Sequence, residues 1–339
     1  MSKEKKLWQK IRSIHFHPTK GSRFWIERAK SLSLDVFQEV NDIEDFWKLG
    51  ELSLDTLRSV PPDDFLPYSF QGEKMPFESA GTSGEPVMTY FTPQEFEMGF
   101  VTPFLKAVKE GLFPSQGAWL YVGPSGPHAV GHAATLCSLA TSGQRPFTVD
   151  FDPRWAKKLP EGSVSAQRYL QHICEQALAV SHKVNISILF ITPPVLDELA
   201  KQWSPEFRHK IQGIQIAGMG VEESQWLSWK ESFPHAQFLI GYGNSLAGVF
   251  YPCAKQKGYW INQGRLYVQL ISLEGENRLQ NILTAGHTGQ VLLHRLDESM
   301  LYINLCERDQ AVMLQEQDDI FLTNVAPVTT IRHIRKGLY

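Results

Sequence analysis

Between Ala118 and Ile240 the chain alternates short apolar runs with longer amphipathic stretches, and this alternation restricts the fold more than any other feature. Ala118–Gly123, Ile186–Ile191, Gly213–Gly218 and Gln237–Ile240 read as buried strands. Helices are expected from about His128 to Leu139, near Ala166–His182, after Pro193-Pro194, and across Glu222–Ser232. Strands separated by helices of this length pair in parallel through right-handed crossovers, so the expected class is α/β with layered, mostly parallel sheets. From about Gly264 the pattern changes to shorter alternating runs at Arg265–Ile271, Gly289–Leu296, Met300–Leu305, Ala311–Leu314 and Ile320–Leu322. These predict a small antiparallel β region near the C-terminus. The expected division is a helical N-terminal segment over 1–72, an α/β core over 73–262, and a small β subdomain with a tail over 263–339.

With 339 residues and 42% hydrophobic content, the chain can bury a large core. Its 33 basic and 36 acidic residues leave a formal charge of −3, which argues against general affinity for nucleic acid or an anionic membrane. No apolar run approaches the roughly 20 residues that span a bilayer, and Met1-Ser2-Lys3-Glu4-Lys5 lacks the apolar core of a signal peptide. A cytoplasmic location is therefore the expectation. Cys137, Cys174, Cys253 and Cys306 contain no close pair, so neither a disulfide framework nor a four-thiolate zinc site is indicated. Cys253 and Cys306 are the thiols to consider as acyl-accepting nucleophiles.

Glu78-Ser79-Ala80-Gly81-Thr82-Ser83-Gly84-Glu85-Pro86 is a hydroxyl- and glycine-rich loop between two strand-like runs. Gly81 and Gly84 let a ligand approach the main chain, while Ser79, Thr82 and Ser83 add hydroxyls, a combination suited to phosphate. It is not a Walker loop, because no Gly-Lys-Ser/Thr ends it. The plainer alternative is a polar hairpin turn. Beyond it, Thr92-Pro93-Gln94-Glu95 is a capping box that opens a helix expected to reach about Gly111. Ligands of parallel sheets sit beyond the carboxyl ends of the strands. Those ends carry Ala217-Gly218-Met219-Gly220 and Gly241-Tyr242-Gly243-Asn244-Ser245.

Ser79–Pro86, Tyr242–Ser245, Gly286-His287-Thr288-Gly289-Gln290-Val291 and Ile303-Asn304-Leu305-Cys306-Glu307-Arg308-Asp309 stand in the order of the core motifs of the adenylate-forming, AMP-binding acyl-activating superfamily, which the chain resembles over about residues 75–310. The nearest branch is the phenylacetate–CoA ligases, and the bacterial acyl-protein synthetases are also similar. The resemblance implies the large N-terminal domain of such a ligase, with 73–262 as its acyl- and nucleotide-binding core. It assigns Ser79, Gly81, Thr82, Ser83 and Gly84 to the nucleotide phosphates, and Tyr242 with Gly243 to the adenine. Asn244 and Ser245 would border the α-phosphate, and Asp309 would hold the ribose hydroxyls. Pro124–His132 and Ala217–Gly220 would enclose an acyl pocket, in which His128 and His132 are candidate bases and Cys306 a candidate nucleophile. Ordinary alternatives are a core aromatic for Tyr242, a turn residue for Asp309 and hydrogen-bonded structural roles for both histidines. No third ligand completes a metal site with the histidines.

Three departures from the family pattern accompany the match. Leu246 stands where relatives place the Glu that holds Mg²⁺ against ATP, which puts a bound Mg²⁺ in doubt. Glu85 stands where many have Lys. Only thirty residues follow Asp309, including the tail lysine Lys336, whereas relatives continue into a lid domain of about a hundred residues. The implied ligands are ATP/AMP or coenzyme A, and the implied partners are an acyl or aryl carboxylate or its thioester, and an acyl carrier protein. Three activities fit: ligation of the carboxylate to a thiol through an adenylate, ATP-independent transfer of an acyl group from acyl-CoA to a carrier protein, and nucleotide or acyl binding without turnover.

Overall fold

Fourteen strands organise the residues described by the computed structural model, which are 3–79, 81, 84–217, 220–254, 258–262, 264–317 and 319–328. In chain order they are β1 (Met75–Glu78), β2 (Met88–Phe91), β3 (Ala118–Val122), β4 (Phe147–Val149), β5 (Ile186–Ile191), β6 (Gly213–Ile216) and β7 (Gln237–Ile240), followed by β8 (Tyr242–Asn244), β9 (Gly248–Pro252), β10 (Tyr259–Trp260), β11 (Leu266–Ile271), β12 (Thr288–Leu296), β13 (Leu301–Glu316) and β14 (Asp319–Pro327). The described residues divide into two compact units. One draws on the described residues within 3–99, 246–248 and 258–328, and the other on those within 100–245 and 249–254.

The second unit is built on a parallel sheet in the order β4-β3-β5-β6-β7. Ile186–Ile191 is apolar almost throughout, as a strand covered on both faces must be, and five of its six residues are buried. The register pairs Val122 with Ile191 and Ile191 with Ile216, so the carboxyl ends of β3, β5 and β6 lie side by side. Phe104, Phe113, Trp119 and Tyr251 fill the core in edge-on and tilted pairs. Burying each such ring is worth roughly 1.5–3 kcal/mol.

The first unit contains antiparallel strands in the order β11-β12-β13-β14-β10 and the β1–β2 hairpin. Helices Lys3–His15 and Arg23–Ser31 each bury a tryptophan, and the indole N–H groups of Trp8 and Trp25 donate to the carbonyls of Val40 (2.8 Å) and Leu301 (2.9 Å). Among the described residues no helix is long and apolar enough to cross a membrane.

Three local expectations need correction. The capping box forms, with Thr92 Oγ1 accepting from Glu95 N, but the helix is interrupted by a π-turn over Glu97–Val101 before it resumes at Thr102–Lys109. Pro103 is the physical cause: it has no N–H to give, and its ring would strike the carbonyl of Gly99 in an unbroken α-helix. The expected runs Met300–Leu305, from Leu301, and Ala311–Leu314 belong to one continuous strand, β13, whose polar middle Glu307–Gln310 is half-buried and not looped out. Tyr242–Asn244, within the glycine-rich Gly241–Ser245 segment expected beyond a strand end, is itself a strand.

Candidate functional site

In the first unit the Glu78–Pro86 loop closes the β1–β2 hairpin, where Glu78 pairs with Met88. Its neck is fixed twice at Ser79, whose N–H donates to the Val87 carbonyl (2.8 Å) and whose Oγ accepts from the Val87 N–H (2.9 Å). Gly81 has φ +61°, in the left-handed region that favours glycine. Exposed Gly84 has φ +147°, and a Cβ placed there would meet the Arg58 guanidinium at 3.1 Å. Arg58, 27 residues upstream of Glu85, is brought to the loop only by the folded hairpin. Thr82 and Ser83 lie outside the described residues.

Asp309 sits within β13 opposite Pro327, half-buried, and so is not a turn residue. Cys306 lies on the same strand. Burial pushes its thiol up to about 12, with Glu51 and Glu307 adding to the rise against Arg278. A nucleophilic cysteine needs the opposite shift. Iodoacetamide at pH 8 is expected to alkylate Cys306 at least roughly a hundredfold more slowly than a cysteine in a free peptide, as read by peptide mass; labelling at the peptide's rate would restore Cys306 as a nucleophile.

Leu246 is buried, 3% exposed. Its carbonyl accepts from Arg295 Nη1 (3.0 Å), and the carbonyl of Ala247 accepts from Arg265 Nη1 (2.6 Å). Both guanidiniums converge on the single carboxylate of Asp297, with Arg265 Nε to Oδ1 at 2.7 Å and Arg295 Nε to Oδ2 at 2.5 Å. Burial alone would raise the Asp297 carboxyl, but the two arginines outweigh it and hold the group below the usual carboxylate range. At this position the chain offers an apolar side chain and a carbonyl already engaged by a cation, a donor set that does not fit Mg²⁺. Among the described residues no cluster of three His, Cys, Asp or Glu side chains is arranged to hold a metal.

In the second unit, Gly123, Pro124 and Val130 meet Phe190, Thr192 and Ala217 around a narrow cleft at the carboxyl ends of β3, β5 and β6. Two of the sequence-predicted pocket segments, Pro124–His132 and Ala217–Gly220, therefore converge; Gly218 and Met219 lie outside the described residues, and Gly220 is exposed. Asp150, which the sequence did not single out, anchors this cleft. Its carboxylate accepts from the N–H (2.7 Å) and hydroxyl (2.9 Å) of Ser125, and Tyr121 Oη donates to the Pro124 carbonyl (2.8 Å). Gly131 lets the following helix approach, since a Cβ there would stand 2.6 Å from the Pro124 carbonyl oxygen.

His128 is the extended N-cap residue of helix Ala129–Ser142 and is buried, whereas half-buried His132 lies inside the helix. Burial, with Arg145 nearby, lowers the His132 imidazole, which favours its neutral form. Tyr242 and Asn244 are half-buried on β8 with Gly243 exposed between them, and Ser245 follows; the Tyr242 ring lies 6.3 Å from that of Phe250. Lys336 and the rest of the tail from 329 lie outside the described residues.

No protein-family model matches the sequence, and no curated protein is similar to it in sequence. Solved structures of a 2-hydroxyisobutyryl-CoA ligase are similar in fold. Its postadenylation state in complex with 2-HIB-AMP superposes with a TM-score of 0.65 at 14% identity, covering 96% of this chain and 67% of that one. Its thioesterification state with 2-HIB-AMP and CoA gives 0.63 at 14% identity, covering 94% and 66%. An open conformation with the same ligands gives 0.62 at 12%, covering 94% and 67%. The chain thus spans about two thirds of that protein's length. The mixed α/β architecture, which includes a five-stranded parallel sheet and antiparallel sheets, is similar in fold to that ligase.

Proposed function

We propose that the protein is an acyl- or aryl-activating enzyme of thioester metabolism, joining a carboxylate to AMP and then to a thiol of coenzyme A or a carrier protein. Four motifs in the family's order support this reading: the hydroxyl- and glycine-rich hairpin loop, Tyr242–Ser245 with its strand Tyr242–Asn244, Gly286–Val291 at the start of β12, and Asp309 within the long antiparallel strand β13. The similarity in fold to a ligase solved with an acyl-AMP and CoA supports it.

In the chemistry proposed, a carboxylate oxygen attacks the α-phosphorus of ATP and pyrophosphate leaves. The thiol sulfur then attacks the acyl carbon, and AMP leaves. Ser79, Gly81, Thr82, Ser83 and Gly84 would cradle the phosphates through N–H and hydroxyl donors, which act where charge develops. Tyr242 and Gly243 would receive the adenine, Asn244 and Ser245 the α-phosphate, and Asp309 both ribose hydroxyls. The acyl group would lie between Ala217–Gly220 and the Pro124–His132 segment, where the cleft of about 10 Å³ has to widen to admit it. No step is assigned to Mg²⁺, because the Leu246 site does not fit it.

Leu246 also favours a second reading, in which the same cradle holds coenzyme A and an acyl group moves from acyl-CoA to a carrier protein without ATP. Acid-dependent exchange of labelled pyrophosphate into ATP is the expected result for the ligase, assayed in parallel with acyl-CoA and carrier protein by intact mass. Carrier loading without ATP would replace the ligase by the transferase, and silence in both assays would leave binding without turnover. Asp309→Ala is expected to weaken nucleotide or CoA binding at least tenfold; unchanged affinity would remove Asp309 from the site.

A further inference from the structure

The Glu78–Pro86 loop brings only carboxylates of its own, Glu78 and Glu85, to a site read as phosphate-binding. A dianionic ligand needs a compensating cation there, and the fold supplies one from elsewhere in the sequence. We propose that Arg58 is that cation, the guanidinium that takes a phosphate group of an adenosine-phosphate ligand at this loop; the assignment rests on the reading above that the loop holds phosphate.

Arg58 lies on the helix Leu54–Ser59, which Ser53 caps by accepting the Thr56 N–H at 3.1 Å. Its Nε donates to the carbonyl of Glu85 at 2.9 Å, which fixes the guanidinium to the main chain of the loop itself. A Cβ at Gly84 would stand 3.1 Å from Cζ and Nη2 and 3.4 Å from Nη1. The whole fork therefore lies flat against this glycine, and any larger residue would displace it. Glycine at 84 thus serves the arginine as well as its own positive φ.

The Arg58 side chain is 21% exposed, shielded enough to act with strength yet open to a ligand. Its carboxylate partner, Asp55 at 2.7 Å, is 90% exposed. A pair made to so exposed a carboxylate contributes little, so a phosphate bearing two charges and several acceptor oxygens can displace it. Arginine suits the exchange because its planar fork matches phosphate oxygens two at a time. The recognised chemistry is a phosphate on an adenosine. Either the polyphosphate of ATP or the 3′-phosphoadenosine diphosphate end of coenzyme A supplies it.

Calorimetric titration of the full chain with ATP, CoA and adenosine, in wild type, Arg58→Gln and Asp55→Asn, tests the assignment. Arg58→Gln is expected to weaken whichever of ATP or CoA the wild type binds by at least tenfold, with Tm and adenosine affinity unchanged. Asp55→Asn is expected to tighten the same ligand several-fold by removing the competing carboxylate. The ligand that responds identifies the source of the phosphate. Equal affinity in wild type and Arg58→Gln would overturn the role of Arg58 and leave the adenylate reading standing. A wild type that binds neither ATP nor CoA would end both. Should Arg58→Gln lower Tm, Asp55→Asn decides: unchanged or weaker binding overturns the proposal.

Discussion

Replacing Asp297 by Asn is expected to destabilise its unit by about 3–5 kcal/mol, the range for a buried ion pair that loses one partner. Arg265 and Arg295 are 3% and 1% exposed, and both lean on this one carboxylate. Asparagine keeps the volume and some hydrogen bonds but leaves two buried cations facing each other, with no water to solvate them. The π-faces of Phe91 and Tyr302 near Arg295 recover a little of that loss. The damage also reaches the segment after Asn244-Ser245, because the same arginines hold the carbonyls of Leu246 and Ala247. Urea unfolding followed by tryptophan fluorescence measures the change, and a difference below 1 kcal/mol would mean that the carboxylate does not govern the cluster.

The parts of the fold legible in the sequence are those where one physical pattern acts alone. Ile186–Ile191 and Gln237–Ile240 form strands at the expected boundaries because a short apolar run between a helix end and a turn has few other choices. Thr92 caps its helix as expected because the box is local. Failures arise where two signals compete. Pro103 overrides the helical pattern around it, and Glu307–Gln310 hides the continuity of β13 because polar residues within a half-buried strand resemble a turn.

The candidate site was legible as motifs but not as electrostatics. Arg58 reaches its loop only through the fold, and the partnership of Arg295 with Asp297 and Arg265 depends on a register that pairs Arg295 with Leu266. Nothing in the local sequence marks Arg265 or Arg295 as buried. Asn304 makes the same point within a recognised motif. Its side-chain N–H groups donate to the carbonyls of Phe46 and Gly50, and its φ is +58°, so this member ties the helical segment to β13.

Acidification from pH 7.5 to pH 5 is expected to cost the first unit about 4 kcal/mol of stability, roughly 2 kcal/mol from each of two buried histidines. Burial lowers the His15 imidazole to about 4, and that of His294 to about 3. For His15, the Asp297 main-chain contact opposes the effect of burial and Arg295 reinforces it. His15 sits between Ser22 Oγ (2.5 Å) and the Asp297 carbonyl (2.9 Å); His294 sits between Gln269 Oε1 (3.0 Å) and the Asn304 N–H (3.1 Å). Both folded-state values lie below the unfolded value near 6.5. The neutral imidazoles thus contribute their stability fully above pH 6.5, and it drains away as the pH falls, because the unfolded chain takes up protons that the native one refuses. Asp297 runs in the same direction but only below about pH 4, where the unfolded carboxylate protonates, so the window ending at pH 5 isolates the histidines. Equilibrium unfolding at the two pH values should give the difference, and His15→Gln should remove about half of the pH dependence whatever it does to stability at pH 7.5. Imidazole proton shifts offer the direct check: both rings should stay neutral in the native protein at pH 5, and titration of either near pH 6.5 would show that burial does not control them.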